Sequence, residues 1–149
     1  MQKEALINFI EIILNDKIST LKKDINSLKE SQKNDTKSSM GDKYETGRAM
    51  IQLELEKYHS RLMNNKEMLS ILLKINPKLK TETIQSGSLI KTNHGWLFIS
   101  IGIGKVRLEN NAEVIVLSPI SPLGKMFLNK SKNESFDFQK RQYQITEVY

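Results

Sequence analysis

The stretch Ser31-Gln32-Lys33-Asn34-Asp35-Thr36-Lys37-Ser38-Ser39-Met40-Gly41 is almost devoid of apolar side chains and ends in glycine, so it reads as a loop. What flanks it decides the fold. On its N-terminal side, residues 5 to about 30 are helical in pattern. Ile18, Leu21, Ile25 and Leu28 recur at steps of 3, 4 and 3, the narrow apolar seam of a coiled coil. On its C-terminal side the helical signal resumes at Asp42, and Ile51, Leu55, Tyr58, Leu62, Leu69, Leu72 and Ile75 give a second seam. Asn65 takes the one seam position that is not apolar, where a polar residue fixes register at some cost in stability. Pro77 stops the helix. Two seams of similar length around a short polar loop predict an antiparallel helical hairpin, an arm of roughly 40 Å at about 1.5 Å per residue. Near the N-terminus, Leu6, Phe9, Ile10, Ile13 and Leu14 form a broader apolar face, expected to pack on a second domain.

Past Lys80 the texture changes to strands. Residues 89–92 and 96–100 flank Asn93-His94-Gly95, and residues 106–109 and 114–117 flank Asn110-Asn111, two hairpin signals. Residues 123–128 read as one short helix, and residues 136–138 and 143–148 as closing strands. The expectation is an α+β protein: a coiled-coil hairpin over residues 1–78, then a small, mostly antiparallel sheet domain with one short helix over residues 79–149.

Composition narrows the function. The chain of 149 residues, 38% apolar and 27% charged, suits one ordinary domain or two small ones with a modest core. Cysteine is absent, which excludes disulfides, thiolate zinc sites and cysteine nucleophiles. Only His59 and His94 are present, too few for a histidine-based cluster. The early apolar run at residues 6–14 is broken by Asn8 and Glu11 and has no basic leader. A cleaved signal or membrane span is therefore not expected, and a cytoplasmic protein is. The net charge of +6 is spread along the chain, +4 over residues 1–80 and +2 over residues 81–149. That balance suits either a solvated surface or weak attraction to nucleic acid or an acidic protein.

Two short motifs carry chemistry. In Asp42-Lys43-Tyr44-Glu45 the carboxylates are three apart, on one face of a helix and within reach of a common ligand. The same spacing also describes a capping box, with Asp at the N-cap and Glu at N3. The readings are compatible, because a carboxylate has about four acceptor sites and capping uses one. Gly102-Ile103-Gly104-Lys105 is not a phosphate loop: Ile99 stands where the first glycine is needed and Val106 where a hydroxyl is needed. A strand bend is expected there instead. Trp96 and Phe98 alternate on a strand and point to core more than to a ligand pocket; His59 is expected in solvent.

Taken in order, the motifs resemble those of the bacterial Gre transcript-cleavage factors. Gly41-Asp42-Lys43-Tyr44-Glu45 is similar to that family's tip. Ser121-Pro122-Leu123-Gly124-Lys125-Met126-Phe127-Leu128 is similar to the start of its C-terminal helix, and Tyr143-Gln144-Ile145-Thr146-Glu147-Val148 to its final strand. The resemblance implies an N-terminal antiparallel coiled coil and an FKBP-like C-terminal domain. It also implies a mode of action without enzymatic activity of its own. The globular domain, through Ser121 and Pro122, docks on RNA polymerase at the mouth of the secondary channel. Asp42 and Glu45 then help hold a Mg²⁺ and a water shared with the polymerase, which cleaves its own backtracked RNA. A monomer that touches the nascent RNA 3′ end indirectly, and no membrane, is implied. This sequence departs from the family at Lys43, Tyr44 and Thr46 in the tip, and at Ile120, Asn129 and Asn133-Glu134 around the helix motif. A related channel-binding protein that modulates the polymerase without cleavage therefore stays open. So do a prolyl isomerase, suggested by fold alone, and a coiled-coil oligomerisation module.

Overall fold

The computed structural model describes the backbone of residues 1–35 and 41–149; the side chains of residues 35–45 lie outside the described residues. The elements run α1 (Lys3–Asp35), α2 (Gly41–Leu73), β1 (Leu89–Thr92), β2 (Gly95–Ile99), β3 (Gly104–Arg107), β4 (Glu113–Leu117), α3 (Pro122–Phe127), β5 (Ser135–Phe138) and β6 (Arg141–Val148). The architecture is α+β. Contacts gather into two units, one of Ile12–Leu69 and one of Met1–Glu11 with Ser70–Tyr149.

In the helical unit the two predicted seams meet. Ile18 and Ile25 of α1 bury against Leu55 and Leu62 of α2, with Leu21, Leu28, Ile51, Tyr58 and Leu69 packed partly buried beside them. The pairing is antiparallel. Residues 36–40 join the facing ends of the helices, and about five turns back a shared groove brings Asp16, Lys17 and Leu21 together with Arg61 and Asn65. Asn65 is 9% exposed; its Nδ2 donates to the Arg61 carbonyl at 2.8 Å while its Oδ1 is buried without a partner. That orphaned acceptor is the stability cost expected of a polar seam residue.

One expectation is corrected here. Residues 31–35, read as loop for want of apolar side chains, belong to α1. A helix end facing water needs no apolar stripe, and Gln32 and Lys33 are good helix formers. The rest of the expected loop, residues 36–40, lies outside the described residues.

In the sheet unit the six strands run in the order β3-β4-β2-β1-β6-β5. The sheet is mixed rather than wholly antiparallel, because β4 pairs parallel to β2 (Trp96 opposite Val114, Ile99 opposite Leu117). Both expected hairpins form, β1–β2 closing with Gly95 at φ +107 and β3–β4 with Asn111 at φ +62. Strand β3 begins two residues earlier than its apolar pattern implied. Leu108 follows the strand, and its N–H donates to the Ala112 carbonyl at 2.9 Å across the turn. Gly104 opens β3 at φ +80, so the glycine pair marks a strand entry where a bend within a strand was expected.

One sheet face packs on α3. Ile90, Leu97, Ile99, Leu117, Tyr143 and Ile145 bury around Phe127, whose ring stands edge-on to Phe136 at 4.8 Å and to Tyr143 at 5.7 Å. Leu89, Phe98, Val114 and Val116 alternate to the other face and are also fully buried. The helical segments of the same unit, whose Leu6, Ile7, Ile10 and Leu72 are buried, are the apolar surface available to cover them.

Candidate functional site

Asp42 and Glu45 lie near the start of the described span of α2, Gly41–Leu73. Their side chains lie outside the described residues. Their position along the helical unit is clear. From Ile12 to Asp35 helix α1 climbs about 36 Å at about 1.5 Å per residue before residues 36–40 lead into α2. The acids therefore sit at the end of the helical pair opposite the one where Ile12 and Leu69 leave the unit.

The second motif is fully described. Ser121 is the N-cap of α3, in extended conformation, and Pro122 follows at the first helical position, where its missing N–H costs nothing. The Ser121 Oγ accepts from the Gly124 N–H at 3.0 Å and donates to the Ser118 carbonyl at 2.6 Å. Its one proton is thus committed inside the turn. Gly124 is needed for a steric reason: a Cβ there would stand 2.1 Å from the Ser118 carbonyl oxygen. Ser-Pro-Leu-Gly is accordingly a device that folds the 118–124 turn tightly back on itself. What the turn offers outward is Pro122 and, beside it, Ile120 at 79% exposed, the most exposed large apolar side chain among the described residues. Sequence reasoning noted Ile120 only as a departure from the family pattern. A bulky apolar residue between two prolines and beside a capping serine was the available signal.

The remaining candidates fall to structure. Phe98 is fully buried, and Trp96 is half-buried, 5.9 Å from the Tyr149 ring with the Lys91 ammonium 5.5 Å from its centroid. His94 stands edge-on to Tyr143 at 5.0 Å, with Nε2 2.8 Å from the Gln142 carbonyl, and His59 is exposed on α2. Among the described residues no group of three or more metal-ligating side chains comes together, and no helix is long and apolar enough to cross a membrane.

No protein-family model matches the chain, and no curated protein matches it. A solved structure, "Structure of the transcription factor Gfh1", is similar over 93% of this chain and 92% of that one, at 16% identity and a TM-score of 0.39. At that score the likeness carries no argument about family or activity.

Proposed function

We propose that this chain is a transcription elongation factor of the Gre type, which docks at the RNA polymerase secondary channel and stimulates cleavage of backtracked RNA. The observation that carries the reading is the place of the acids: two carboxylates three residues apart, at the far end of an antiparallel helical pair sealed by a narrow apolar seam. A helical pair of this kind can carry side chains some tens of ångströms into a channel. The donor set fits Mg²⁺ in its chemistry, since carboxylates are the hard oxygen ligands that ion takes. Two carboxylates are too few for an all-protein cage, so Asp42 and Glu45 complete a site whose other ligands belong to the polymerase and the RNA. When bound, the ion supplies positive charge beside the attacking and leaving oxygens.

In this reading the chain has no catalytic activity of its own. Asp42 and Glu45 orient water and contribute negative charge at the polymerase centre. The 118–124 turn supplies the docking contact: Ser121 holds its shape, and Pro122 and Ile120 meet the polymerase rim. The protein acts in the cytoplasm as a monomer. The test is to add it with Mg²⁺ to backtracked elongation complexes. Short 3′ RNA fragments that depend on the protein support the reading. Slowed elongation without fragments replaces it with the modulator alternative, for which the altered Lys43, Tyr44 and Thr46 tip leaves room.

A further inference from the structure

Lys3 lies on the buried face of α1, in step with Leu6, Ile7 and Ile10, and is only 8% exposed. A buried ammonium is ordinarily paired with a carboxylate, yet among the described residues Lys3 enters no ion pair. Its Nζ donates to the Leu79 carbonyl at 2.7 Å. An ammonium has three N–H donors, so two are left over. Desolvation, and after it the charge of Lys80, hold the Lys3 pKa below the usual lysine range. A negative charge beside Nζ would relieve both.

The space next to Lys3 is a cleft of about 340 Å³ within the sheet unit, lined by no Asp or Glu. A second ammonium, Lys74, lines it. Asn76 Oδ1 accepts from the Lys78 N–H at 3.0 Å and Ser88 Oγ from the Gln85 N–H at 3.0 Å, which leaves the Asn76 amide N–H groups and the Ser88 hydroxyl proton to give. Gly87, at φ +93, brings the 85–88 turn against Ile75, just past α2; a Cβ there would be 3.0 Å from Ile75 Cγ2. Ile71, Ile75 and Leu79 add apolar lining. Two cations and several donors without a competing carboxylate suit a dianion with several oxygens better than a single carboxylate. The volume is at the small end of ligand sites, which favours a compact molecule over a polymer.

We infer that this cleft binds a small organic phosphate, its phosphate held between the ammonium groups of Lys3 and Lys74 and its body lying on Ile71, Ile75 and Leu79. The inference is independent of transcript cleavage, and either reading can fail without the other.

The experiment titrates the full chain with adenosine 5′-monophosphate and, separately, inorganic phosphate, followed by NMR and calorimetry. Saturable shifts of the Ser86, Gly87 and Ser88 amides are expected, with the nucleotide bound more tightly because its body adds apolar contact. Loss of one charged hydrogen bond weakens binding by about tenfold or more, the effect expected for Lys3→Met. Lys74→Gln alters an exposed side chain, so its folding is secure, and a smaller loss is expected there. Lys22→Gln, remote in sequence and exposed, should bind as the parent does. No saturable shift at millimolar ligand, shifts centred elsewhere, or undiminished binding in both cleft variants would overturn the inference and leave Lys3 as a tether between α1 and Leu79. Equal affinity for phosphate and nucleotide would also overturn it, because the site would then take an inorganic anion alone.

Discussion

The helical unit and the sheet unit hold themselves together in different ways. In the first, each buried side chain faces one partner helix, and Ile18, Ile25, Leu55 and Leu62 are strung along a single line. In the second, a sheet is buried on both faces, and Phe127, Phe136 and Tyr143 close into one aromatic cluster with centroids 4.8 to 5.7 Å apart. A line of contacts can be extended or shortened with little effect on distant members, whereas a cluster loses many contacts when one member goes. The helical unit therefore reaches its far end with little core, while the sheet unit holds the tight 118–124 turn and a cleft.

The sharpest way to break this contrast is at Gly124. Gly124→Val forces a side chain onto the Ser118 carbonyl, and a cost of about 3 kcal/mol or more is expected, read by chemical denaturation. Phe127→Ala, which empties the aromatic cluster, should cost about 3 to 5 kcal/mol and unfold the sheet unit cooperatively. Leu62→Ala in the seam should cost about 2 to 3 kcal/mol. Hydrogen exchange should then rise across residues 12–69 and stay unchanged in the sheet. Equal loss of protection in both units would show that they are one cooperative structure. Ser121→Ala removes the α3 cap for about 1 kcal/mol, a loss measurable by thermal denaturation; an unchanged midpoint would mean the turn is held by other contacts.

The smallest expected effect is electrostatic. The Glu113 carboxyl is held below the usual carboxylate range by hydrogen bonds from Lys105 and Arg107, at 2.6 and 2.7 Å. A depressed carboxylate adds stability above its unfolded pKa and loses it as pH falls through the folded value. Glu113→Gln should therefore be slightly less stable than the parent at neutral pH and equal to it in acid. The difference should be small, because all three side chains are exposed.

How much was legible follows the same divide. The seam was written in the sequence, because a coiled coil repeats one local rule and Ile18, Leu21, Ile25 and Leu28 obey it. The end of α1 was not, since residues 31–34 are helical yet none of them is buried. In the sheet, the hairpins at Gly95 and Asn111 were marked by residues that tolerate positive φ. The β5–β6 turn was not marked: Gln139 at φ +49 and Lys140 at φ +64 adopt it without glycine or asparagine. The parallel β2–β4 pairing is a long-range choice that no local pattern announces. At the candidate sites, Ser121 and Pro122 were visible as a motif, but their capping role and the outward turn of Ile120 needed coordinates. For Lys3 the signal is its spacing, three and four residues before Leu6 and Ile7 on the same helical face.

In the proposed function Asp42 and Glu45 act chemically and do not merely cap a helix. Asp42→Asn with Glu45→Gln separates the two roles. Asparagine and glutamine serve a helix N-terminus well, so stability should change by less than about 1 kcal/mol, while the negative charge that Mg²⁺ requires is removed. With backtracked elongation complexes, the double variant is expected to stimulate no release of short 3′ RNA, yet still to compete with the parent protein for the polymerase. Cleavage near the parent rate by the double variant would contradict it.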